Sequence, residues 1–407
     1  MTNEVLQKTA SDEQNVSSSN GLEPSIRFKN FTKKWNKISL KEIGTFQKGA
    51  PLSKADISQE GNPFILYGEL YTTYSEVTYK VFRKTDKKVD KIYFSNVGDV
   101  ILPTSGETPE EIAIATCIMI PDVILAGDLY IFRQNKIDGR ILSYIINHTV
   151  NGKISRIAQG KSVVHVRSEE LGKIIINYPT NDEQEKIANF LSLIDQRIEK
   201  QRQLVESLKK YKRGYFQRII SSLETSSFEL KNIVDEYNAK SKIQNELPIL
   251  SSTLSGIKLQ NDYFNKQAAS ETTIGYKIVP FGYFTYRSMS DTGEFRFNLQ
   301  NIIEKGIVSP AYPVFKVKEE YNAEFVEYIL NETDKIKSQL LVKKEGGTRY
   351  ALSFSKFQTL KIDLPTKSVQ DKMVSQLRYA NKILTNEEGV LSNLQKLKNG
   401  LLQQMFI

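Results

Sequence analysis

The feature that most limits how this 407-residue chain can fold is a repeat within it. Residues Tyr178–Ile220 align without a gap on Leu364–Phe406, at a constant offset of 186 residues. Identical pairs include Pro179/Pro365, Thr180/Thr366, Gln184/Gln370, Lys186/Lys372, Leu191/Leu377, Leu208/Leu394, Lys210/Lys396, Lys212/Lys398, Gly214/Gly400 and Gln217/Gln403. Upstream, the register persists at Gly160/Gly346 and Ile176/Ile362. Weaker echoes lie earlier still. Leu40-Lys41-x-Ile43 parallels Leu230-Lys231-x-Ile233, LYIFR at 129–133 parallels YPVFK at 312–316, and Tyr144-Ile145 parallels Tyr328-Ile329. Chance does not give ten identities in one ungapped register. The chain is a tandem duplication, so one architecture has to be built twice.

The repeated part reads as helix. Pro179 ends the preceding strand, residues 180–182 offer caps, and Glu183 adds a favourable charge to the first turn. Apolar residues follow at Ile187, Leu191, Ile194, Ile198, Val205 and Leu208. The second copy repeats them as Met373, Leu377, Ala380, Leu384, Leu391 and Leu394. This is the spacing of a coiled-coil seam. Gln201 and Glu387 interrupt both seams at the equivalent position, where a buried polar pair would fix register. At about 39 residues each helix spans roughly 58 Å, long for one that only packs on its own domain, although that alternative stays open. Helix pairing is therefore expected.

Between the helices lie short aromatic or β-branched segments (91–103, 128–134, 276–288) with short helical patterns at 141–146 and 324–330. The predicted class is α+β, with two mixed α/β globular domains alternating with two long helices that pair as an antiparallel coiled coil under pseudo-twofold symmetry. The expected divisions are a disordered polar tail at 1–25, a first domain at 26–180, a helix at 181–222, a second domain at 223–365 and a second helix at 366–407. The polar start does not read as a signal peptide, and no apolar run reaches membrane-spanning length. The interiors of the two domains diverge far more than the helices do. One scaffold is being used to read two different things.

Few chemistries remain open to such a chain. One cysteine, Cys117, in an apolar run, and two histidines, His148 and His165, exclude a disulfide framework and make a structural zinc site untenable. Gly160-Lys161-Ser162 ends like a phosphate-binding loop, but Ser155 stands where its leading glycine belongs. Asn62-Pro63-Phe64 lacks the second proline of the adenine methyltransferase tetrapeptide. No dinucleotide-binding glycine motif and no nucleophile elbow occurs. A binding protein without catalytic residues is expected. Its net charge of +9 makes nucleic acid the first partner to test.

Certain residues also resemble a known family. Trp35, Leu40 and Ile43 open the first domain, and Pro179, Glu183, Gln184, Ile187, Phe190, Leu191 and Asp195 close it. Leu208, Lys209, Lys212, Gly214 and Gln217 end the helix. Together they resemble the specificity (S) subunit of type I restriction-modification enzymes. The second copy departs with Val369, Gln376 and Asn381 in place of the glutamate, phenylalanine and aspartate. The resemblance implies two target recognition domains, each reading one half of an asymmetric bipartite site in double-stranded DNA, and two spacer helices. It implies partners as well: two modification (M) subunits docked on the helices, and restriction (R) subunits. No cofactor is expected on this chain, with S-adenosylmethionine, ATP and Mg in the partner subunits, and the location expected is cytoplasmic. A coiled-coil adaptor without a DNA role, and a DNA methyltransferase with unrecognised motifs, remain the alternatives.

Base and phosphate contacts call for polar and basic side chains on loops. In the first domain the expected contacts are Lys48, Ser53 and Lys54, then Thr104, Ser105, Glu107 and Thr108, and then Lys161, His165 and Arg167. In the second they are Arg287 and Ser288 beside Tyr286, Arg296 and Asn298, and then Lys343, Lys344 and Arg349. The basic stretch Lys209–Arg213 is read equally as phosphate contact or partner docking. Gly214 and Gly400 are expected to mark close backbone approach or a fraying helix end.

Overall fold

The computed structural model describes residues 6–8, 23–160, 162–260, 272–345 and 349–406. It divides into two compact units, Met1–Gln203 with Gly389–Ile407, and Leu204–Glu388. Most of the expected polar tail lies outside the described residues. Within it, Leu6–Lys8 forms a short strand antiparallel to Ile26–Phe28.

The first unit is built on β1 (Asn36–Ser39), β2 (Gly44–Lys48), β3 (Asn62–Leu66), β4 (Val77–Thr78), β5 (Arg83–Thr85), β6 (Asp99–Pro103) and β7 (Ser105–Gly106). There follow β8 (Thr116–Ile118), β9 (Ile124–Ala126), β10 (Leu129–Gln134), α1 (Gly139–Ile145), α2 (Asn151–Ile157), β11 (Val164–His165), β12 (Ile175–Tyr178) and the long α3 (Asn181–Ser222). The central sheet has the order β2-β10-β6-β8-β4, and a second sheet has the order β9-β3-β5. β6 and β10 read as near-continuous apolar runs because both faces are covered, and Val100, Ile101, Leu102, Ile131 and Phe132 are fully buried. Cys117 sits among them, and burial pushes its thiol pKa up, which leaves it inert.

The second unit contains β13 (Ser226–Glu229), β14 (Val234–Glu236), β15 (Leu250–Thr253), β16 (Gly256–Leu259), β17 (Lys277–Pro280), β18 (Phe284–Thr285) and β19 (Met289–Ser290). It continues with β20 (Asn298–Leu299), β21 (Lys305–Val308), β22 (Val314–Val317), α4 (Ala323–Glu332), α5 (Asp334–Lys343), β23 (Tyr350–Ala351), β24 (Lys361–Leu364) and α6 (Lys367–Met405). Its main sheet has the order β14-β22-β18-β20, all antiparallel, which is the order of β2-β10-β6-β8 in the first unit. Every weak sequence echo falls on an equivalent element. Leu40 and Leu230 both start a single 3-10 turn and donate their amides to the carbonyls of Ile174 and Leu360. LYIFR lies on β10, YPVFK leads into β22 from Val314 onward, and the Tyr-Ile pairs lie on α1 and α4.

In each unit the chain enters and leaves side by side, because β1 pairs with β12 and β13 pairs with β24. The repeated glutamine then pins the long helix to its unit. Gln184 accepts from the Asp138 amide at 2.7 Å and donates to the Pro179 carbonyl at 2.9 Å. Gln370 does the same with Asn322 and Pro365, at 2.8 Å each. Where the copies diverge, so does the chemistry. Glu183 is fully buried and held by the Arg27 guanidinium through two 2.7 Å bonds, whereas Val369 packs on the apolar core of the second unit.

Both helices contribute to both units. In the first, Leu401, Leu402 and Met405 of α6, with Phe406 just after it, join the core with Ile187 and Leu191 of α3, and Lys398 reaches Asp195 at 2.7 Å. In the second, Phe216 of α3 joins Met373 and Leu377 of α6, and Lys212 donates to Asn381 at 2.9 Å. Within each unit the two segments therefore run antiparallel. The expected seam is buried at Ile187, Leu191, Ile198, Val205, Met373 and Leu377 and half-buried at Ile194, Leu208, Leu384, Leu391 and Leu394. The glycine expectation is corrected. A side chain at Gly214 would meet nothing within 4 Å, and α3 continues past it to Ser222, so neither close approach nor a fraying end places it there.

Candidate nucleic-acid interface

The antiparallel order of β2, β10 and β6 sends the end of β2, the start of β10 and the end of β6 to one end of the sheet. Lys48 stands opposite Tyr130, and Pro103 opposite Leu129. The loop after β2 is tied there by the Gly49 amide donating to the Leu129 carbonyl at 2.9 Å. The loop after β6 is tied by the Thr104 amide donating to Asp128 at 2.8 Å. β11 comes to the same place, with Val164 opposite Gly106, His165 opposite Ser105, and the Val166 amide on the Thr104 carbonyl at 3.1 Å. Thus the three segments expected in the first domain form one surface around the two-stranded ribbon β7/β11. The other end of the sheet leads through Gln134 and Asp138 to the start of α3.

Individual roles on this surface differ. Lys48, Lys54, Glu107, Thr108, His165 and Arg167 are exposed. Ser53 is exposed but caps the turn 54–56, accepting from the Ala55 amide and donating to Asp56. Thr104 is half-buried, while Ser105 is buried and donates to Asp128 at 3.0 Å, holding the ribbon in place. Glu111 accepts from the amide of Glu107 and itself donates to the Thr108 hydroxyl, which closes the loop tip. Lys161 lies outside the described residues. Gly160 has φ +144°, and a Cβ there would fall 1.9 Å from the Val163 carbonyl, so the turn into β11 needs glycine.

The second unit repeats the ribbon as β19/β23, with Met289 opposite Ala351 and Ser290 opposite Tyr350. Arg287 is exposed just before it, without an ion-pair partner among the described residues. Ser288 is half-buried and donates to the Ala311 carbonyl at 2.9 Å. Arg349 is exposed and pairs with Asp291 at 3.2 Å, and Lys344 lies 3.9 Å over the Tyr350 ring. Lys343 turns away to Thr359 at 2.6 Å. Arg287 and Arg296 line a cleft of about 730 Å³ with Ser251, Thr253, Ser290 and Thr292. Arg296 is half-buried and pairs with Glu332 at 3.1 Å. Two residues grouped with these belong to the interior. Tyr286 is fully buried, its hydroxyl on the Leu352 carbonyl, and Asn298 is 1% exposed and donates to Ser252 and Thr253.

Residue patterns alone missed one cluster. Lys398 bridges Asp195 at 2.7 Å and Glu76 at 3.0 Å, Tyr144 donates to Asp195, and His148 meets Glu76 at 2.8 Å. Burial works to raise the Glu76 pKa, but the His148 hydrogen bond and the Lys398 charge outweigh it and hold the carboxyl down at about 2. The signal was in the spacing, since Lys398 and Lys212 each follow the last seam leucine by four residues. Lys212 is therefore engaged in its helix pair, and Lys209 and Arg213 face Glu388 and Asp334. Among the described residues there is no group of three or more metal-ligating side chains, and no helix is long and apolar enough to cross a membrane.

Each copy of the duplicated scaffold thus carries one two-stranded ribbon with polar loops at the end of its sheet. Residues 32–210 match the family model for the type I restriction modification DNA specificity domain. That match makes this part of the chain similar to the DNA specificity domains of type I restriction-modification systems, and DNA sequence specificity is the role it supports. The fold is shared with the crystal structure of a type I restriction-modification system S subunit from M. genitalium, with TM-score 0.58, 16% identity, and coverage of 95% of this chain and 99% of that one. It is shared also with a structure described under complex assembly and conformational transition of the type I R-M system, with TM-score 0.55, 14% identity, and coverage of 92% and 98%. No curated protein sequence matches the chain.

Proposed function

We propose that each unit reads one half of an asymmetric bipartite target in double-stranded DNA, through the surface around its ribbon. In this reading the paired helices set the spacing between the halves and dock two modification subunits, and restriction subunits join that complex. The chain performs no chemistry itself. S-adenosylmethionine, ATP and Mg act in the partner subunits.

The observation that carries this reading is the recurrence of the ribbon at the same place in both units with different residues on it. His165 lies on the first ribbon and Arg167 just beyond it, and Arg287 and Arg349 flank the second. A duplicated scaffold with divergent contact residues suits an asymmetric target, because the halves need not match. Docking of two equivalent partners is supported by a second pattern. Leu193, Leu204 and Tyr211 on α3 are exposed apolar residues, and at the offset of 186 so are Tyr379, Val390 and Leu397 on α6. Exposed apolar residues recurring on one helix face mark an interaction surface.

Methylome sequencing of cells expressing this chain with its modification subunit tests the reading. A bipartite motif with unequal halves is expected, and Arg287→Ala is expected to relax bases in one half only. A methylation pattern independent of this chain, or an Arg287→Ala pattern identical to wild type, would remove the respective assignment. Lack of binding to random duplex DNA at low salt would favour the adaptor alternative.

A further inference from the structure

The first unit carries a dense run of positive charge outside the ribbon. Residues 80–91 hold Lys80, Arg83, Lys84, Lys87, Lys88 and Lys91 against Asp86 and Asp90. The segment includes β5 and the turns beyond it, and its backbone is firmly placed. β5 pairs with β3, Ser58 bridges to Lys84, and Val89, Tyr93 and Phe94 pack on the small core of Ala50, Phe64, Leu66, Ile124 and Ala126. With Val89 and Tyr93 turned inward, Lys84, Lys87, Lys88 and Lys91 are all exposed. Among the described residues Lys84, Lys88 and Lys91 have no ion-pair partner, and Lys87 reaches Asp86 only at 4.0 Å. Arg83 is the member already engaged, on Glu69 at 3.1 Å.

This platform continues into the ribbon surface. Leu52 and Ile57, either side of Lys54, pack on the same small core, and the Gln47 side chain donates to the Ile92 carbonyl at 2.8 Å. Four lysines held together on one rigid surface repel one another in the free protein, and a polyanion relieves that repulsion. Lysine is a flexible point charge suited to phosphate rather than to base edges. We infer that Lys84, Lys87, Lys88 and Lys91 form a sequence-independent platform for the phosphates of duplex DNA that flanks the half-site read by the first unit. The inference rests on the DNA-reading role proposed above.

The full-length chain with all four lysines changed to Gln is titrated onto random-sequence duplex DNA across a salt series. A control carries the same charge change at Lys29, Lys33, Lys34 and Lys136, exposed lysines on the side of the unit that holds the start of α3. Each phosphate contact adds about 0.9 to the slope of log affinity against log salt, so the platform variant should lose about 2 to 4 from that slope and the control should keep it. Methylated motifs in cells should be the same for both. An unchanged slope in the platform variant, or an equal loss in the control, overturns the platform while leaving DNA reading intact. A wild-type chain without salt-dependent binding overturns both.

Discussion

Lys212 and Lys398 occupy the same position of the repeat, yet their surroundings give them different weight. Lys398 is 9% exposed between two carboxylates, whereas Lys212 meets only the neutral amide of Asn381. Removing one partner from a buried charge cluster leaves the others uncompensated, at a cost of about 3 kcal/mol. A half-exposed hydrogen bond to an amide contributes roughly 1 kcal/mol or less. The only tryptophan, Trp35, is buried in the first unit with its ring 6.1 Å from Phe406 at the end of α6, so its fluorescence reports on that docking. Lys398→Met should lower the urea midpoint followed at Trp35, while Lys212→Met should leave it in place. Equal shifts would mean that the cluster adds nothing to the docking. Glu76 gives the same cluster a pH signature. Its pKa in the fold, about 2, lies below the ordinary 4.5, so its contribution is complete above pH 4.5 and is lost as pH falls toward 2. The first unit should lose about 2 kcal/mol between pH 6 and pH 3 from this group, and Glu76→Gln should lose correspondingly less. A variant with the wild-type acid dependence would place the titration elsewhere.

At the scale of elements, the long helices were legible because their apolar spacing and caps repeat, and both boundaries fell within a residue or two of those expected. The ribbon was not legible as an element. β7, β11, β19 and β23 are two residues each, too short for any alternation to show, and their partners lie about 60 residues away in sequence. What sequence did show was the chemistry at their edges. Polar residues beside glycine at 104–108, and His165 and Arg167, stand apart in sequence, and strand pairing brings them together. The failures share a cause too. Asn298 and Ser105 look like loop contacts by composition, but each spends its hydrogen bonds inside, on Ser252, Thr253 and Asp128. Polarity by itself does not tell a group aimed at a ligand from one that satisfies the backbone. Lys398 shows the converse, a charge at seam spacing that lies in the interior, where sequence alone gave it no role.

For the whole molecule, the duplication gives both helices the same length between equivalent links. Asp195 and Lys212 on α3 are separated by as many residues as Asn381 and Lys398 on α6, and Asp195 pairs with Lys398 in one unit as Lys212 pairs with Asn381 in the other. Inserting four residues near Gln201 alone would lengthen one helix and leave the other unchanged, so one of these links would have to break. Adding one heptad to both helices, beside Gln201 and beside Glu387, keeps the seam in phase and both links available. Seven residues add about 10.5 Å, equal to about 3 base pairs of duplex DNA. If the helices act as the ruler, the double insertion should move the methylated bipartite motif to a gap longer by about 3 base pairs, with both half-sites unchanged. The single insertion should instead lower the urea midpoint reported by Trp35 and weaken methylation at every spacing. A double-insertion variant that still methylates the original gap would show that spacing is set outside the helices.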